Sequence, residues 1–502
     1  MRIRDFGKTR YLKVLPEGDV DESLLLGYKK TKGDPWITVE KNLVNRIVLG
    51  LDLPEREEVE LMHSDGLMDY QRADVAKMVS IPCGLNRNRM GYGKTVETII
   101  MMRELGVRNA VIVAPKSVLV QWQSQIEKWW PEAAKRVIII KDVKTTVSRD
   151  NIVLINYDKL INERILYKLK EWQWNILILD EAHRIKNKAS KRTIASKNIP
   201  AKRRWALTGT PVLKNPDDLW SILDFLDPEY SGISYWNFLN YFCDIEEGFF
   251  GKKVKGLTQN SARVAVMRKL LDIISVSNPD MHLTKGKVIE TVSVQMSTPQ
   301  KKLYRDAKNL LLDSLPEKMT IPNGAVLCLR LQQITSTPKW WQSKDPGAKF
   351  EYIAEALQDH PDEKLVVFSS FATTCEYLQQ YLKTKKIHSV VYTGKMSESD
   401  KLLAKKEFIE NPDCKAIIST IGAMGVGVDG LQSVCSWGIF LERDWSPEIN
   451  EQAEDRINRY GQQNTVLIQY LECRGTYDRH VGRVTLTRSE DIKTMLMSEE
   501  DM

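Results

Sequence analysis

Short apolar runs rich in β-branched residues alternate along this chain with amphipathic stretches. The stretches with helical periodicity include residues 122–130, 350–357 and 397–408. The apolar runs are short enough to be strands buried on both faces, and they lie at residues 110–114, 151–156, 175–180, 365–369, 416–420 and 437–441. This alternation predicts parallel sheets covered by helices, which is the α/β fold class.

The alternation occurs in two series, at residues 85–210 and 350–470, with a helix-rich and less regular region between them. We therefore predict two doubly wound parallel-sheet lobes with helical insertions. The predicted domains are a small N-terminal accessory domain at 1–60, a first lobe with a helical insertion at 61–285, a helical insertion or linker at 286–345, a second lobe at 346–490 and a tail at 491–502.

Composition adds constraints on location and partners. The chain has 502 residues and a net charge of +7, and nine basic residues with no acid fall between Arg184 and Arg204. This basic segment fits either a solvated surface or a polyanion-binding surface. The N-terminus has no apolar signal region, no 18 apolar residues run together, and the seven cysteines are scattered. We therefore expect an intracellular protein with neither a disulfide framework nor a membrane span.

A phosphate-binding loop is predicted at residues 90–95, Met-Gly-Tyr-Gly-Lys-Thr, directly before an amphipathic helix. Glycines let backbone N–H groups approach phosphate oxygens, and the N-terminus of the helix offers partial positive charge. The lysine reaches the phosphates and the threonine hydroxyl can bind Mg²⁺. A chance Gly-Lys-Thr turn is the alternative. The candidate nucleotide-binding residues here are Gly91, Tyr92, Gly93, Lys94 and Thr95.

A pair of carboxylates follows the apolar run 176–179 in the sequence Asp180-Glu181-Ala182-His183. Polar residues at the carboxyl end of a buried parallel strand are typical of α/β ligand sites. Asp180 can hold Mg²⁺ and Glu181 can polarise the attacking water, so both are candidate catalytic residues. The alternative is that the pair only caps a helix.

Together these motifs resemble the superfamily 2 helicases. The sequence from Asp180 to Asn187, Asp-Glu-Ala-His-Arg-Ile-Lys-Asn, points to the SNF2 branch, and Leu207-Thr-Gly-Thr-Pro follows in the expected order. The resemblance covers residues 65–475 and implies two RecA-like lobes that use ATP and Mg²⁺. It also implies that Gln71 and Gln452 contact the nucleotide. The residues implied to couple the nucleotide site to the Leu207-Thr-Gly-Thr-Pro motif are His183, Thr208, Gly209 and Thr210.

The same resemblance implies a track for DNA, because four further segments, at residues 114–122, 156–158, 366–371 and 419–429, resemble family motifs that grip it. We take the basic run as a source of phosphate contacts as well, since it directly follows the carboxylate motif. The implied DNA-binding residues are Lys116, Ser117, Gln121, Trp122, Asn156, Tyr157, Lys188, Lys191, Arg192, Ser369, Ser370, Ser419 and Thr420.

Two arginines three positions apart, Arg456 and Arg459, belong to a segment that resembles motif VI. This spacing predicts that they share one face of a helix. The resemblance implies that they act as arginine fingers, with Lys94, Asp180 and Glu181 as the other catalytic residues. The alternative is an exposed helix face with Arg–Glu pairs.

The sequence departs from the family pattern in two places. Asn88-Arg89 stands where the family usually has Asp-Glu, which replaces two negative charges with an amide and a cation. ATP affinity is therefore expected to differ. The segment 272–278 lacks the arginine pair usual there, so no role of that pair is transferred.

The favoured function is an ATP-driven translocase on double-stranded DNA, with branched DNA as the preferred partner and branch migration or fork remodelling as its task. Residues 1–60 are predicted either to select branched DNA or to support the first lobe. The alternatives are an RNA helicase, a nucleotide-dependent DNA-binding switch and a remodeller of protein–DNA complexes. Protein partners are not predicted. The cytoplasm of a bacterium or of a phage-infected cell is the favoured location, with the nucleus as the alternative.

Overall fold

The computed structural model describes residues 2–5, 11–15, 21, 24–26, 28–31, 36–40, 42–51, 59–89, 91–209, 216–226, 234–248, 251–278, 285–313, 321–424, 430–459 and 461–496. The chain divides into two compact units. One comprises residues 1–280 with 490–502, and the other comprises residues 281–489.

A seven-stranded parallel sheet forms the centre of the first unit, in the order β13-β5-β10-β9-β6-β8-β7. Its strands β6 and β8 are buried along their whole length, because helices cover the sheet from both sides, whereas the inner strand β10 carries the basic residues Lys202, Arg203 and Arg204 near its start. The described strands of the whole first unit, including those of its two smaller sheets, are β1 Arg2–Asp5, β2 Tyr11–Leu15, β3 Lys29–Lys30, β4 Ile37–Glu40, β5 Cys83–Asn86, β6 Ala110–Ala114, β7 Val137–Ile139, β8 Ile152–Asn156, β9 Trp174–Asp180, β10 Ala201–Leu207, β11 Cys243–Gly248, β12 Gly251–Leu257 and β13 Ser275–Val276.

Helices surround this sheet and continue into a helical region after β10, which also carries the β11–β12 hairpin. Their amphipathic faces bury apolar side chains in two clusters, one on each side of the sheet. The α-helices of the first unit are Leu43–Val48, Asp69–Ser80, Lys94–Glu104, Leu119–Trp129, Tyr157–Leu160, Glu163–Lys170, Lys191–Lys197, Asp218–Leu226, Tyr235–Phe242 and Ser261–Ile274.

Strands β1 to β4 form a separate antiparallel sheet at the start of the chain. It has a small apolar core of its own, and the segment also packs into the larger core of the first unit through Leu26, Val44 and Ile47. Asn45 braces the segment internally, because its side chain accepts a hydrogen bond from Leu26 N at 2.7 Å and donates one to Leu26 O at 2.8 Å. A hydrogen bond from the Tyr241 hydroxyl to Leu24 O at 2.7 Å joins the segment to the rest of the first unit. The N-terminal segment is thus built into the first unit through side-chain packing. The predicted boundary at residue 60 stays a prediction.

The second unit contains a six-stranded parallel sheet in the order β14-β19-β18-β15-β17-β16. Its strands are β14 Lys287–Val294, β15 Leu365–Ser369, β16 Ser389–Tyr392, β17 Ala416–Thr420, β18 Trp437–Phe440 and β19 Val466–Cys473. Its α-helices are Thr298–Asp313, Ile321–Ser336, Ala348–Asp359, Ala372–Thr384, Glu398–Glu410, Ile421–Met424, Pro447–Glu454 and Tyr477–Leu496.

The two parallel sheets with their covering helices confirm the predicted two-lobed α/β fold. Each sheet has apolar clusters on both faces, which is what the short, wholly apolar strand runs require. In the part of the chain that the structure describes, no helix is long and apolar enough to cross a membrane.

Candidate active site

The loop between β5 and the helix Lys94–Glu104 has the backbone of a phosphate cradle. Gly91 and Gly93 have φ angles of 84° and 86°, in the left-handed region that glycine adopts without strain. A Cβ atom at Gly93 would also lie 2.2 Å from Gln71 Nε2, so a side chain there would displace the end of the Gln71 side chain from the loop. Met90 lies outside the described residues. The helix begins at Lys94, which directs its N-terminal N–H groups toward the loop.

Lys94 is held by the backbone of its own loop. Its Nζ donates hydrogen bonds to the carbonyl oxygens of Asn88 at 2.8 Å and Arg89 at 3.1 Å. These acceptors are neutral, so a phosphate can compete for the ammonium group without breaking an ion pair with them. Thr95 occupies the next position in the first turn of the helix, as the sequence predicts.

Gln71, the predicted nucleotide contact, lies against the loop. Its side chain is buried, accepts a hydrogen bond from Met68 N at 3.1 Å and donates one to Tyr92 O at 3.4 Å. Tyr70 donates its hydroxyl to the same Tyr92 carbonyl at 2.8 Å. Helix Asp69–Ser80 thus fixes the loop backbone from one side. In this structure the side-chain amide of Gln71 is hydrogen-bonded to the Tyr92 carbonyl oxygen of the loop.

Sequence analysis missed a buried polar network beneath the loop. Asn88 donates through Nδ2 to Asp74 Oδ2 at 2.6 Å and to Glu97 Oε2 at 3.3 Å, while Asn86 donates to Glu97 Oε2 at 2.6 Å. Asn278 N donates to Asn88 Oδ1 at 2.9 Å. The sequence signal for this network is a pair of asparagines, Asn86 at the end of β5 and Asn88 just after it. From the sequence alone, Asn88 is only a departure from the family pattern.

The pKa values of both carboxyl groups in this network are raised above their ordinary values. Burial, and secondarily the negative charge of Asp74, raise the pKa of Glu97 to about 8. Burial also raises the pKa of Asp74, although its hydrogen bonds from Asn88 and Asn278 act in the opposite direction. The loop that carries Lys94 therefore rests on hydrogen-bonded carboxyl groups that are costly to ionise.

Asp180 and Glu181 lie at the carboxyl end of β9, in the middle of the sheet. Burial, and then the charge of Glu181, raise the pKa of Asp180 to about 6, while the Trp122 hydrogen bond and the charge of Lys94 lower it. Lys94 and Asp180 are thus close enough to interact electrostatically, although 86 positions separate them. Glu181 has a φ of 52°, a left-handed conformation that is uncommon outside glycine.

Two of the predicted coupling residues do meet at this site. His183 Nδ1 lies 3.3 Å from Glu181 Oε2 and 3.4 Å from Thr208 Oγ1, so the imidazole bridges the end of β9 and the residue after β10. Gly209 follows directly in the chain, and Thr210 lies outside the described residues. The arrangement can pass a change at Glu181 to the segment that begins at Thr208.

Two predicted DNA contacts are instead internal supports of Asp180. Trp122 is 1% exposed and donates its indole N–H to Asp180 Oδ2 at 2.8 Å. Tyr157 is 2% exposed and donates its hydroxyl to the Asp180 carbonyl oxygen at 2.7 Å. Their assignment as DNA-binding residues is therefore corrected, since in this structure their side chains face the core. Motif resemblance places a residue in a segment and leaves open which way its side chain points.

The other predicted DNA contacts of the first unit divide by exposure. Lys116 and Gln121 are exposed, at and just after the 3₁₀ turn Lys116–Val118, and the side chain of Ser117 is not described. Asn156 is buried and caps the helix Tyr157–Leu160, because its Oδ1 accepts from Lys159 N at 2.9 Å. Its side chain is therefore also occupied inside the protein, which corrects its assignment.

The basic run also separates into different environments. Lys188 Nζ lies 3.1 Å from the centroid of the Tyr235 ring and 5.8 Å from the ring centroids of both Trp220 and Trp236. Lys191 is exposed at the start of its helix, and Arg192 beside it is partly buried. Lys188 is exposed as well, and its ammonium group differs from that of Lys191 in lying over an aromatic ring.

The predicted DNA contacts of the second unit lie at the ends of β15 and β17. Ser369 is fully buried and donates to Glu442 Oε2 at 2.9 Å, and Ser370, whose side chain is exposed, donates its backbone N–H to the same oxygen at 2.8 Å. Ser419 is fully buried too, whereas Thr420 is partly exposed. The buried side chains of Ser369 and Ser419 are corrected as DNA contacts, leaving Ser370 and Thr420 in accessible positions. Residues 425–429 of this motif lie outside the described residues.

The helix in the motif VI segment ends before the two predicted arginine fingers. It runs from Pro447 to Glu454 and carries Gln452, so Arg456 and Arg459 lie in the turns that follow. The expectation that these arginines share one helical face is therefore wrong. Lys287 holds the end of this helix, because its Nζ lies 2.6 Å from Glu454 Oε2 and 3.3 Å from Asp455 Oδ1. The repulsion between these two carboxylates at the helix end is neutralised by the lysine.

A magnesium ion fits the donor chemistry of the first unit. The Asp180 carboxylate and the Thr95 hydroxyl supply the hard oxygen ligands that Mg²⁺ prefers, and it keeps several waters when bound by so few protein groups. Among the described residues, no group of three or more His, Cys, Asp or Glu side chains forms a metal site.

Comparison with known proteins finds two family models along this chain. The SNF2-related domain matches residues 70–339, and the helicase conserved C-terminal domain matches residues 348–461. A SWI2/SNF2 ATPase core of Sulfolobus solfataricus, solved in complex with dsDNA, aligns with a TM-score of 0.41 and 22% identity over 88% of this chain and 100% of that chain.

Curated relatives are longer than this chain. An uncharacterized ATP-dependent helicase of Mycoplasma pneumoniae is 24% identical over 83% of this chain and 40% of its own length. The DNA annealing helicase and endonuclease ZRANB3 of Homo sapiens is 26% identical over 85% of this chain and 39% of its own length. The chain thus spans about two fifths of the length of these relatives. Because the SNF2-related domain alone matches more than half of the chain, the protein belongs to the SNF2-related family.

Proposed function

We propose that this protein is a DNA-dependent ATPase that translocates on double-stranded DNA. The observation that carries the proposal is the placement of the Asp180–Glu181 carboxylate pair at the carboxyl end of the central strand β9, in the same unit as a loop whose Gly91 and Gly93 have the left-handed φ angles of a phosphate cradle. A lysine on a glycine loop beside a strand-end carboxylate is the arrangement that nucleotide triphosphate hydrolysis needs. Membership of the SNF2-related family supports DNA as the partner.

Each residue of the site has a distinct task in this proposal. Lys94 would leave the Asn88 and Arg89 carbonyls for the phosphates, and the backbone N–H groups near Gly91 and Gly93 would bind phosphate oxygens. Thr95 and Asp180 would hold Mg²⁺, which neutralises phosphate charge when bound. Glu181 would orient and polarise the attacking water.

Nucleotide turnover would reach the rest of the first unit through His183. Its ring lies between Glu181 and Thr208, so loss of the γ-phosphate near Glu181 changes the hydrogen bonding of the imidazole. Exposed side chains at Lys116, Gln121 and Lys191 provide contacts to the nucleic-acid backbone. Contacts of this type depend on charge and are independent of base sequence.

The test is ATP turnover measured with duplex DNA, single-stranded DNA and RNA as separate cofactors. We expect stimulation by duplex DNA in the wild type and loss of turnover in Lys94→Ala. Glu181→Gln should bind ATP and fail to hydrolyse it. Stimulation by RNA alone would identify an RNA helicase. Nucleotide-controlled DNA binding without hydrolysis would identify a binding switch instead.

We further propose that the DNA acted on is branched, so that translocation produces branch migration or fork remodelling. Similarity to a relative named as a DNA annealing helicase supports this choice, and so does the N-terminal segment, which packs into the core of the first unit. A segment held rigidly beside a motor can present a fixed surface to one DNA arm.

The branched-DNA proposal is tested with two substrates and the full chain. Displacement of a third strand from a linear triplex reports translocation, and conversion of a mobile four-way junction reports branch migration. We expect the protein to act on both. Triplex displacement without junction conversion would refute the branched-DNA proposal, and failure on both would refute translocation.

A further inference from the structure

The indole of Trp122 is placed to control the orientation of Asp180. Its Nε1 donates to Asp180 Oδ2 at 2.8 Å, while the other carboxylate oxygen, Oδ1, accepts from Glu181 N at 3.0 Å. Both oxygens therefore have a protein donor. A carboxylate held at both oxygens cannot rotate freely, and each oxygen keeps a further lone pair for another ligand.

Trp122 is itself held firmly. It is 1% exposed and belongs to the buried face of the helix Leu119–Trp129, together with Leu119 and Ile126. Its position is thus tied to the position of the whole helix. A shift of that helix must move the indole N–H relative to Asp180, because β9 is anchored separately in the centre of the sheet.

The same helix begins at a surface segment. The 3₁₀ turn Lys116–Val118 leads directly into Leu119, and both Lys116 and Gln121 are exposed. Only a short stretch of chain separates Lys116 and Trp122. A polyanion that binds the exposed side chains thus acts on the element that carries the buried indole.

We propose that Trp122 is a positioning residue that couples nucleic acid at the Lys116–Val118 turn to the orientation of the Asp180 carboxylate. The proposal rests on the proposed function, since it assumes that Asp180 serves a Mg²⁺–nucleotide site. Its physical basis is the charge-assisted hydrogen bond from a neutral donor to a carboxylate, which fixes direction as well as distance. Loss of a hydrogen-bond partner behind a metal ligand typically lowers metal affinity or activity 10- to 100-fold.

The chain supplies a matched control for the obvious variant. Trp122→Phe removes the indole N–H and keeps an aromatic ring. Trp205 is fully buried on the neighbouring strand β10, and among the described residues its Nε1 has no hydrogen-bond partner. Trp205→Phe therefore makes the same chemical change and the same loss of volume without touching Asp180.

Two measurements test the proposal. The first is the Mg²⁺ concentration that half-saturates binding of a fluorescent ATP analogue, and the second is the ratio of ATP turnover with and without duplex DNA. We expect Trp122→Phe to raise the Mg²⁺ requirement about 10-fold and to reduce the stimulation by DNA several-fold. Trp205→Phe should match the wild type in both. A benzothienylalanine at position 122, which keeps the bicyclic shape without the N–H, should reproduce Trp122→Phe even if the phenylalanine variant unfolds.

The possible outcomes separate this inference from the proposed function. If the benzothienylalanine protein needs the same Mg²⁺ concentration as the wild type, Trp122 does not position Asp180. A raised Mg²⁺ requirement with unchanged DNA stimulation would overturn the coupling. Absence of DNA stimulation in the wild type would refute the proposed function, while the Mg²⁺ titration would still report on positioning.

Discussion

The ammonium nitrogen of Lys188 lies 3.1 Å from the centre of the Tyr235 ring. Tyr235 is fixed in turn, because its hydroxyl donates to Asp217 Oδ2 at 2.9 Å and its ring meets Trp220 edge to face. A cation over an aromatic face and near a carboxylate is stabilised electrostatically. Lys188 therefore stabilises the packing of the helical region of the first unit.

This contact predicts that neighbouring lysines contribute differently to DNA binding. Lys191→Ala should flatten the dependence of log affinity on log salt concentration by about one unit, because an exposed lysine that contacts phosphate releases a counterion. Lys188→Ala should leave that slope unchanged and lower the thermal unfolding midpoint. Duplex binding titrated at several salt concentrations measures the slopes, and a flatter slope in Lys188→Ala would show that phosphate draws the lysine off the ring.

Asn88 should be intolerant of the acidic residue that the family usually has there. Asn88→Asp removes the donor to Asp74 and Glu97 and adds a third carboxyl to a buried cluster. We expect a loss of about 2 kcal/mol or more in the free energy of unfolding at neutral pH. Arg89→Glu is the matched control, because this neighbouring side chain is exposed and its change should cost under about 0.5 kcal/mol. Equal denaturant midpoints for the two variants would contradict the role given to Asn88.

The sequence predicted the two-lobed fold because the strand runs are unusually apolar. Runs such as residues 110–114 and 176–179 can only be satisfied by burial on both faces, so their alternation with helices determines the sheet type. The apolar run likewise predicted Asp180 at the carboxyl end of a buried strand, where β9 ends. The order of residues along the chain is enough to predict the sheet type and the position of Asp180.

Side-chain direction was beyond sequence reasoning. Trp122, Tyr157 and Ser369 lie in motif segments, yet their side chains point into the core, because orientation depends on how each segment packs. The end of the motif VI helix at Glu454 was missed for a related reason. Lys287, which stabilises that end, lies 167 positions before Glu454 in the chain, so no local sequence pattern predicts the contact between them.

Lys287 should contribute strongly to the folding stability of the second unit. Its ammonium group lies between Glu454 and Asp455, and the two carboxylates raise its pKa despite burial. Lys287→Met leaves these carboxylates without their cation, so we expect a loss of about 3 kcal/mol in the free energy of unfolding. Lys285→Met changes an exposed lysine two positions earlier and serves as the control. Similar urea midpoints for both variants would show that the buried ion pair adds little.

Glu97 should make the stability of the protein depend on pH. Its pKa is about 8 in the folded chain, against an ordinary value of 4.5 for a glutamate exposed to water in the unfolded chain. Between these two values the folded state binds more protons than the unfolded state. The free energy of unfolding therefore falls as pH rises from about 4.5 to about 8, by up to about 1.4 kcal/mol per pH unit from this group. Above about pH 8 the contribution is constant.

Glu97→Gln should remove this dependence, because a glutamine carbonyl can still accept the hydrogen bond from Asn86 Nδ2 and carries no charge. The unfolding midpoint of the variant relative to the wild type should therefore rise between pH 5 and pH 8 and level off above that range. Glu127→Gln changes an exposed carboxylate on a neighbouring helix and should show no such trend. Denaturant titrations at pH 5, 6, 7, 8 and 9 give the comparison, and a constant difference between Glu97→Gln and the wild type would mean that Glu97 is ionised throughout, with its charge stabilised by the asparagines beneath the loop.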